Sequence, residues 1–312
     1  MTIDKLYIAC CKKDFYLTRI CVASIRYWNQ SIPIELLKDL SQGAFDTSEI
    51  EQVFSVSLAP LPFKNVGAYS KLYPFINPAK ERALILDSDI VWLGDLIPEL
   101  NRFDEDVIAD CVRPADAEEE LNRWYIDSNN FSRRYGRYPY PGFVFNTGQL
   151  VISTHPFSAE DFTDIIDWTE PVRPLEDHIF LCEDQGIINY VVAKKLKAGA
   201  LTLRPHHFFV WGWSEDAKRF TLDDILRRKG HPFLLHWFGR KEGMTRVLPR
   251  HELLQFYERW YYQQLEDGMR RIHWERLKRT VRHPYALLKA VLKFFYYRAF
   301  GNFISGKDTS NP

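Results

Sequence analysis

The segment Ala83-Leu84-Ile85-Leu86-Asp87-Ser88-Asp89-Ile90-Val91-Trp92-Leu93-Gly94 restricts the choice of fold most sharply. Four consecutive apolar residues predict a strand covered on both faces, as in the parallel sheet of an α/β protein. The run then stops at two aspartates flanking a serine. In open α/β sheets, ligands settle in the crevice beyond the carboxyl ends of the strands, so this Asp-x-Asp falls where a site is expected. Extended geometry points Asp87 and Asp89 to the same side, and hard oxygen donors so placed suit Mg²⁺ or Mn²⁺. A polar turn that merely closes the strand accounts for the same residues equally simply.

The flanking chain fits an α/β reading. Leu6 to Cys11 predicts a first strand, and the apolar spacing of Tyr16, Ile20, Ala23, Ile25 and Tyr27 predicts a helix after Asp14. Ile32 to Leu37 predicts a second strand, which makes a βαβ opening. Further on, Ala68 to Tyr73 predicts a helix stopped at Pro74, and Val107 to Val112 another strand. Residues 113–142 are charged and aromatic without a clear period, and read either as a functional loop or as a surface excursion. Phe143-Val144-Phe145 resumes strand character and runs into Asn146-Thr147-Gly148, where the glycine suggests close backbone approach. Phe162 to Trp168 predicts a short helix. Glu183-Asp184-Gln185 opens a longer one, with its carboxylates near the N-terminus. Finally, Pro232-Phe233-Leu234-Leu235-His236-Trp237-Phe238-Gly239 repeats the opening design: an apolar run ending in a potential ligand.

A chain of 312 residues, 46% hydrophobic and 26% charged, has the composition of a folded protein rather than a disordered one. Aromatics at 15% suit a large core or a site that stacks flat apolar faces. The zero formal charge conceals a division, because ten Lys and Arg residues face Glu275 alone between Gly268 and Lys307. The rest of the chain is correspondingly acidic. Cys10, Cys11, Cys21, Cys111 and Cys182 form no metal or disulfide pattern and read as reduced thiols. With neither an apolar leader nor an 18-residue apolar run in view, the active body is expected to face the cytosol, peripheral to the inner face of the plasma membrane. Pro284 and Gly301 bracket a helix carrying Lys289 and Lys293 on one face, which suits an anionic lipid surface or packing on its own domain. No RNA or DNA module accompanies the basic charge, so nucleic acid is not an expected partner.

In order, Lys71 in Ala-Tyr-Ser-Lys-Leu, Asp87-Ser88-Asp89, Phe145-Asn146-Thr147-Gly148, Asp184-Gln185-Gly186-Ile187-Ile188-Asn189 and His236-Trp237-Phe238-Gly239 form a constellation. With it, the chain resembles the family 8 glycosyltransferases, retaining enzymes of GT-A fold, over roughly residues 5–100 and 140–240. The resemblance implies a GT-A catalytic domain over 1–250 with a mixed, mostly parallel sheet, followed by a helical basic extension over 251–312. It also implies Mn²⁺, with Mg²⁺ as the alternative, held by Asp87, Asp89 and His236. Cys10, Asp14, Tyr16, Lys71, Asp87, Ser88, Asn146 and Lys241 would bind the donor, and Asp184 and Gln185 would serve catalysis at the donor sugar. The implied partners are a UDP-sugar and a saccharide or glycolipid acceptor, with glucose or galactose transferred into a bacterial surface glycan such as lipopolysaccharide or capsule. Where the family places Lys-Pro-Trp after the histidine, this chain has Glu242-Gly243-Met244, with Arg240 and Lys241 slightly early.

A cation and Lys71 beside the departing diphosphate would stabilise the charge that grows there, commonly the largest catalytic contribution. The expected course is front-face departure, in which Asp184 and Gln185 orient the sugar. Two other classes compete: a sugar-nucleotide pyrophosphorylase, which needs a Gly-rich loop where Cys10-Cys11-Lys12-Lys13 stands, and a non-catalytic membrane adaptor with a degenerate sugar-nucleotide fold.

Overall fold

A computed structural model describes residues 1–112, 118–176, 178–237 and 248–282. Twelve strands are present among them: β1 (Lys5–Cys11), β2 (Ile34–Asp39), β3 (Val56–Leu58), β4 (Arg82–Leu86), β5 (Ile90–Trp92), β6 (Val107–Cys111), β7 (Phe145–Ser153), β8 (Ile166–Asp167), β9 (Arg173–Pro174), β10 (Leu203–Pro205), β11 (Phe209–Trp211) and β12 (Leu234–His236). The central sheet has seven strands in the order β10-β6-β7-β4-β1-β2-β3. Every neighbouring pair is parallel except those made by β7, which runs antiparallel to both β4 and β6. This is the mixed, mostly parallel α/β sheet that the apolar runs predict, and β4 is buried along its whole length.

Alternation along the strands divides the core between the two faces. Leu6, Ile8, Leu84, Leu86 and Val151 join one apolar cluster, whereas Tyr7, Ala83, Ile85, Leu150 and Ile152 join the other. The helices Phe15–Trp28 and His251–Gln263 cover the first face. The helix Glu183–Lys197 covers the second, together with residues of the 121–135 region. Trp92 ties the first layer together: its carbonyl accepts from Tyr257 Oη at 2.6 Å and from Trp28 Nε1 at 3.2 Å. A second sheet, ordered β11-β12-β5, is joined in sequence to the first through β5, the strand that follows the Asp-x-Asp.

Three local expectations change. Pro74 does not stop a helix; a 3-10 turn over Gly67–Leu72 runs into a helix Tyr73–Ile76 with proline in its first turn, where the missing N–H costs nothing. The 162–168 stretch is not helical, because a 3-10 turn Ala159–Phe162 capped by Ser158 ends there and β8 begins at Ile166. In the 113–142 stretch, a π-helical turn Leu121–Tyr125 leads to a helix Ser128–Tyr135 capped by Asp127, whose carboxylate accepts from Asn129 N and Asn130 N. Its aromatic residues mostly turn inward, and Phe131 contacts Tyr135, Tyr138, Phe180 and Tyr190 with ring centroids 5.0–6.1 Å apart. Among the described residues, no helix is long and apolar enough to cross a membrane. The expected basic helix 284–301 and the Phe238-Gly239 and Lys241 positions lie outside the described residues.

Candidate active site

Strand pairing assembles the site from distant segments. Leu86, the last residue of β4, pairs with Gln149, and Asp87 N donates to Gly148 O at 2.7 Å. Since β7 runs antiparallel to β4, the beginning of β7 stands at the carboxyl end of β4, and Asn146 to Gln149 meet Asp87 to Asp89 there. The chain then turns into β5. Its antiparallel partner β12 sets His236 opposite Ile90, and Trp237 N donates to Asp89 O at 3.0 Å.

Ligand atoms of Asp87, Asp89 and His236 consequently lie within 4.8 Å of one another. His236 Nε2 is 3.3 Å from Asp89 Oδ1 and 3.9 Å from Asp87 Oδ2, with Asp89 and His236 almost wholly buried. On the other side of the ring, His236 Nδ1 lies 3.1 Å from Gln149 Oε1. An amide oxygen only accepts, so in this arrangement Nδ1 carries a proton and Nε2 is the ring atom that faces the carboxylates. With Nδ1 held by Gln149, Nε2 and the two carboxylates are placed to share a cation. The 3.3 Å separation is close to the ~3 Å edge of an octahedron with bonds of roughly 2.1 Å. The donor set therefore fits a hard divalent ion, and mixed oxygen and nitrogen donors suit Mn²⁺.

Lys71 stands beside this group. Its Nζ is 3.0 Å from Asp87 Oδ1 and 2.7 Å from Asp184 Oδ2. Burial works to lower its pKa, but the adjoining Asp184 and Asp87 carboxylates outweigh it and raise the pKa above the usual lysine value. Three aspartates around one ammonium make the group acidic, and burial raises the pKa of the Asp184 carboxyl above its usual value.

Asp184 and Gln185 occupy the first turn of the helix Glu183–Lys197. Thr147 Oγ1 donates to Asp184 Oδ2 at 3.0 Å, while Gln185 Oε1 accepts from Asn146 Nδ2 at 3.0 Å and from Thr147 N at 3.3 Å. Asn189 clamps the helix to β7: its Oδ1 accepts from Phe145 N at 3.1 Å and its Nδ2 donates to Phe145 O at 2.9 Å. Gly148 fits where a side chain could not, since an added Cβ would lie 2.6 Å from His236 Cε1, 2.7 Å from Asp87 Oδ2 and 2.8 Å from Asn146 Oδ1. The close backbone approach expected of this glycine is thus made to the site itself.

Lys71, Asp87, Asp89, Asn146, Asp184, Gln185 and His236 form one connected group, and Ser88 is buried within the Asp-x-Asp turn. Cys10, Asp14 and Tyr16 gather at the corner between β1 and the helix Phe15–Trp28. The Cys10 thiol is buried and accepts from Thr18 Oγ1 at 3.5 Å, and Asp14 Oδ2 lies 3.6 Å from Cys11 Sγ. Tyr16 packs beneath Arg279, whose guanidinium is 5.0 Å from the ring centroid. His206 and His207 stay apart from the metal-like group: His207 Nδ1 is 2.8 Å from Asp110 Oδ2, and His206 Nε2 is 3.5 Å from Glu99 Oε1. Gln149 was not legible as a partner of His236; the available signal is a polar run, Asn146 to Gln149, at the head of an otherwise apolar strand.

The mixed, mostly parallel seven-stranded sheet, with an acidic, histidine-bearing cluster at the carboxyl end of β4, has the GT-A architecture. No known protein-family profile and no curated protein matches the chain. Among solved structures, it is similar to WbbM, a bifunctional glycosyltransferase in apo form, at 15% identity and a TM-score of 0.51 over 82% of this chain and 49% of WbbM. It is also similar to the galactosyltransferase LgtC, solved with donor and acceptor sugar analogues, at 16% identity and a TM-score of 0.50 over 82% of this chain and 95% of LgtC. The chain spans about half the length of WbbM. At these identities the likeness is one of fold.

Proposed function

We propose that the chain is a metal-dependent, retaining glycosyltransferase of the family 8 type, moving glucose or galactose from a UDP-sugar to a saccharide or glycolipid acceptor. The observation that carries this reading is the convergence of Asp87, Asp89 and His236 with Lys71 and the Asp184-Gln185 turn at one sheet edge. The galactosyltransferase activity of LgtC agrees with a hexose donor. On this reading the catalytic body is 1–250, with Cys10, Asp14, Tyr16 and Ser88 on the nucleotide side and Asn146 at the donor sugar.

Asp87, Asp89 and His236 would hold Mn²⁺, or Mg²⁺ in its place, and the ion would act as a Lewis acid toward the leaving diphosphate. Lys71 supplies a second fixed positive charge from a buried position, where electrostatic effects are stronger than in water. Asp184 Oδ2 is already engaged by Lys71 and Thr147, which suits a carboxylate that orients and electrostatically supports the sugar more than one that attacks it. Gln185, braced by Asn146 and Thr147, presents its amide from a rigid first turn. The leaving phosphate oxygen takes the acceptor proton as the new glycosidic bond forms on the face from which the diphosphate departs.

The test is turnover of UDP-glucose and UDP-galactose with Mn²⁺, by the native chain and by Asp89→Asn, with the anomeric configuration of the product read by NMR. Metal-dependent turnover lost in Asp89→Asn, with retained configuration, is the expected result. No turnover of any nucleotide sugar favours the adaptor reading, and an inverted product overturns the front-face course.

The basic C-terminal region, read as 251–312, is proposed to hold the enzyme peripherally on an anionic membrane, as surface-glycan synthesis would require. In its described portion, the helix Gly268–Arg282 docks through Arg276 and Arg279 onto buried Glu258 while leaving Met269, Trp274 and Leu277 about half exposed. Apolar side chains beside basic ones suit a lipid surface.

A further inference from the structure

The acceptor side of the proposed reaction needs a surface that recognises a saccharide, and the aromatic residues of 121–138 are largely spent on packing with one another. A different aromatic surface adjoins the metal-like cluster. Along β11 and its flanks, His207, Phe209, Trp211 and Trp213 follow one another at two-residue spacing, with successive ring centroids 6.4, 5.0 and 5.1 Å apart. Pairing of β11 with β12 sets Trp211 directly beside His236, with ring centroids 4.8 Å apart. Trp213 stacks on Trp211 with only 11° between the ring planes, yet half of its surface is open to solvent.

Backbone contacts hold this display in place. Ser214 N and Oγ both donate to Trp211 O, at 2.9 and 2.8 Å, which makes a tight turn around Trp213. Gly212 allows the strand to press on Trp237, since an added Cβ would come within 2.5 Å of its indole nitrogen, and that nitrogen is anchored to Pro249 O at 2.7 Å. An exposed indole held flat and rigid gives up little conformational entropy on binding. Its open surface is suited to the apolar C–H face of a pyranose.

We propose that Trp213, backed by Trp211, is a stacking platform for the saccharide acceptor. This rests on the glycosyltransferase reading. Topology assigns the platform to the acceptor and not the donor: β11 is the outer strand of the three-stranded sheet, with β12 between it and β5. The indole pair therefore lies beyond His236 from the Asp87-Asp89 turn, whereas the proposed donor residues come from β1, the Lys71 turn, β7 and the helix Glu183–Lys197. Continuity through the His236 ring joins the platform to the site.

The experiment measures binding of glucose, galactose, N-acetylglucosamine, lactose and maltose to the full chain with Mn²⁺ and UDP present, by saturation-transfer NMR, in the native protein, Trp213→Ala and Trp213→Tyr. Affinity for UDP itself is measured in parallel. At least one saccharide is expected to bind, with its ring protons saturated, and Trp213→Ala should weaken it about 3- to 10-fold, the range of a single aromatic contact. Trp213→Tyr should restore part of the loss because it keeps a flat ring. Saccharide binding that is absent, or unchanged in Trp213→Ala while UDP and Mn²⁺ still bind, overturns the platform and leaves the glycosyltransferase reading standing. Loss confined to UDP assigns the indole to the nucleotide base and also overturns it. If the native protein binds neither UDP nor UDP-sugars, the glycosyltransferase reading fails and the platform fails with it.

Discussion

Gln149→Leu is the substitution that isolates the architecture of the proposed metal site from its ligands. Gln149 is fully buried, and its Oε1 lies 3.1 Å from His236 Nδ1. Leucine has comparable bulk and suits the apolar strand, so the sheet should survive, but the acceptor that holds the Nδ1 proton is gone. A buried N–H left unpaired costs about 1–3 kcal/mol, and the imidazole can relieve this by moving its proton to Nε2, the atom that faces Asp89 at 3.3 Å. A proton there must be displaced before a metal can bind. Outer partners of ligating histidines typically contribute about 10- to 100-fold in metal affinity, or roughly 1.4–2.8 kcal/mol. Free Mn²⁺ counted by electron paramagnetic resonance should show a weakening in that range. Long-range ¹H–¹⁵N NMR of the metal-free protein should move His236 away from the Nδ1–H tautomer. Gln149→Glu, which still offers an acceptor, should keep that tautomer. The reasoning is refuted if native His236 already carries its proton on Nε2, or if Gln149→Leu remains folded and binds Mn²⁺ within about twofold of the native protein.

Gly148→Ala should damage the site before the fold, because all three atoms crowding the new methyl belong to site side chains, His236, Asp87 and Asn146. Mn²⁺ affinity should fall at least tenfold, while the melting temperature drops by only a few degrees, about the effect of a 1 kcal/mol loss; a variant binding Mn²⁺ normally would contradict the packing. Truncation after Glu266 should lower co-sedimentation with phosphatidylserine vesicles, and raising the salt concentration should reduce binding of the full chain in the same way. Vesicle binding that is unchanged by truncation would leave the helix Gly268–Arg282 as packing on its own domain.

The candidate strand-end ligands were legible because an aspartate or histidine after an apolar run has few structural uses, and this pattern alone singles out Asp87, Asp89 and His236. Their meeting was less accessible. It depends on β7 running antiparallel between β4 and β6 and on β12 returning beside β5, and neither pairing leaves a mark in local periodicity. Gln149 was hidden for a related reason. Its role exists only through the histidine opposite, so within Gly148-Gln149-Leu150 it reads as a polar interruption of a strand. The aromatic residues were less legible: residues 121–138 and 207–213 are both rich in rings, and composition cannot tell which set faces inward. The first closes around Phe131, whereas the second ends at an edge strand with Trp213 still half open.

The electrostatic balance of the site adds a constraint that single residues do not. Asp89, Asp184 and Lys71 are nearly wholly buried, and buried charges persist only when compensated. Lys71 bridges Asp87 and Asp184, yet one ammonium cannot neutralise three carboxylates. Elsewhere the buried Glu258 carboxylate meets two guanidinium groups, Arg276 and Arg279, so the buried carboxylate there does not lack its cation. The contrast between those two clusters in one chain is the physical reason to read the first as a site for a cation and the second as a brace.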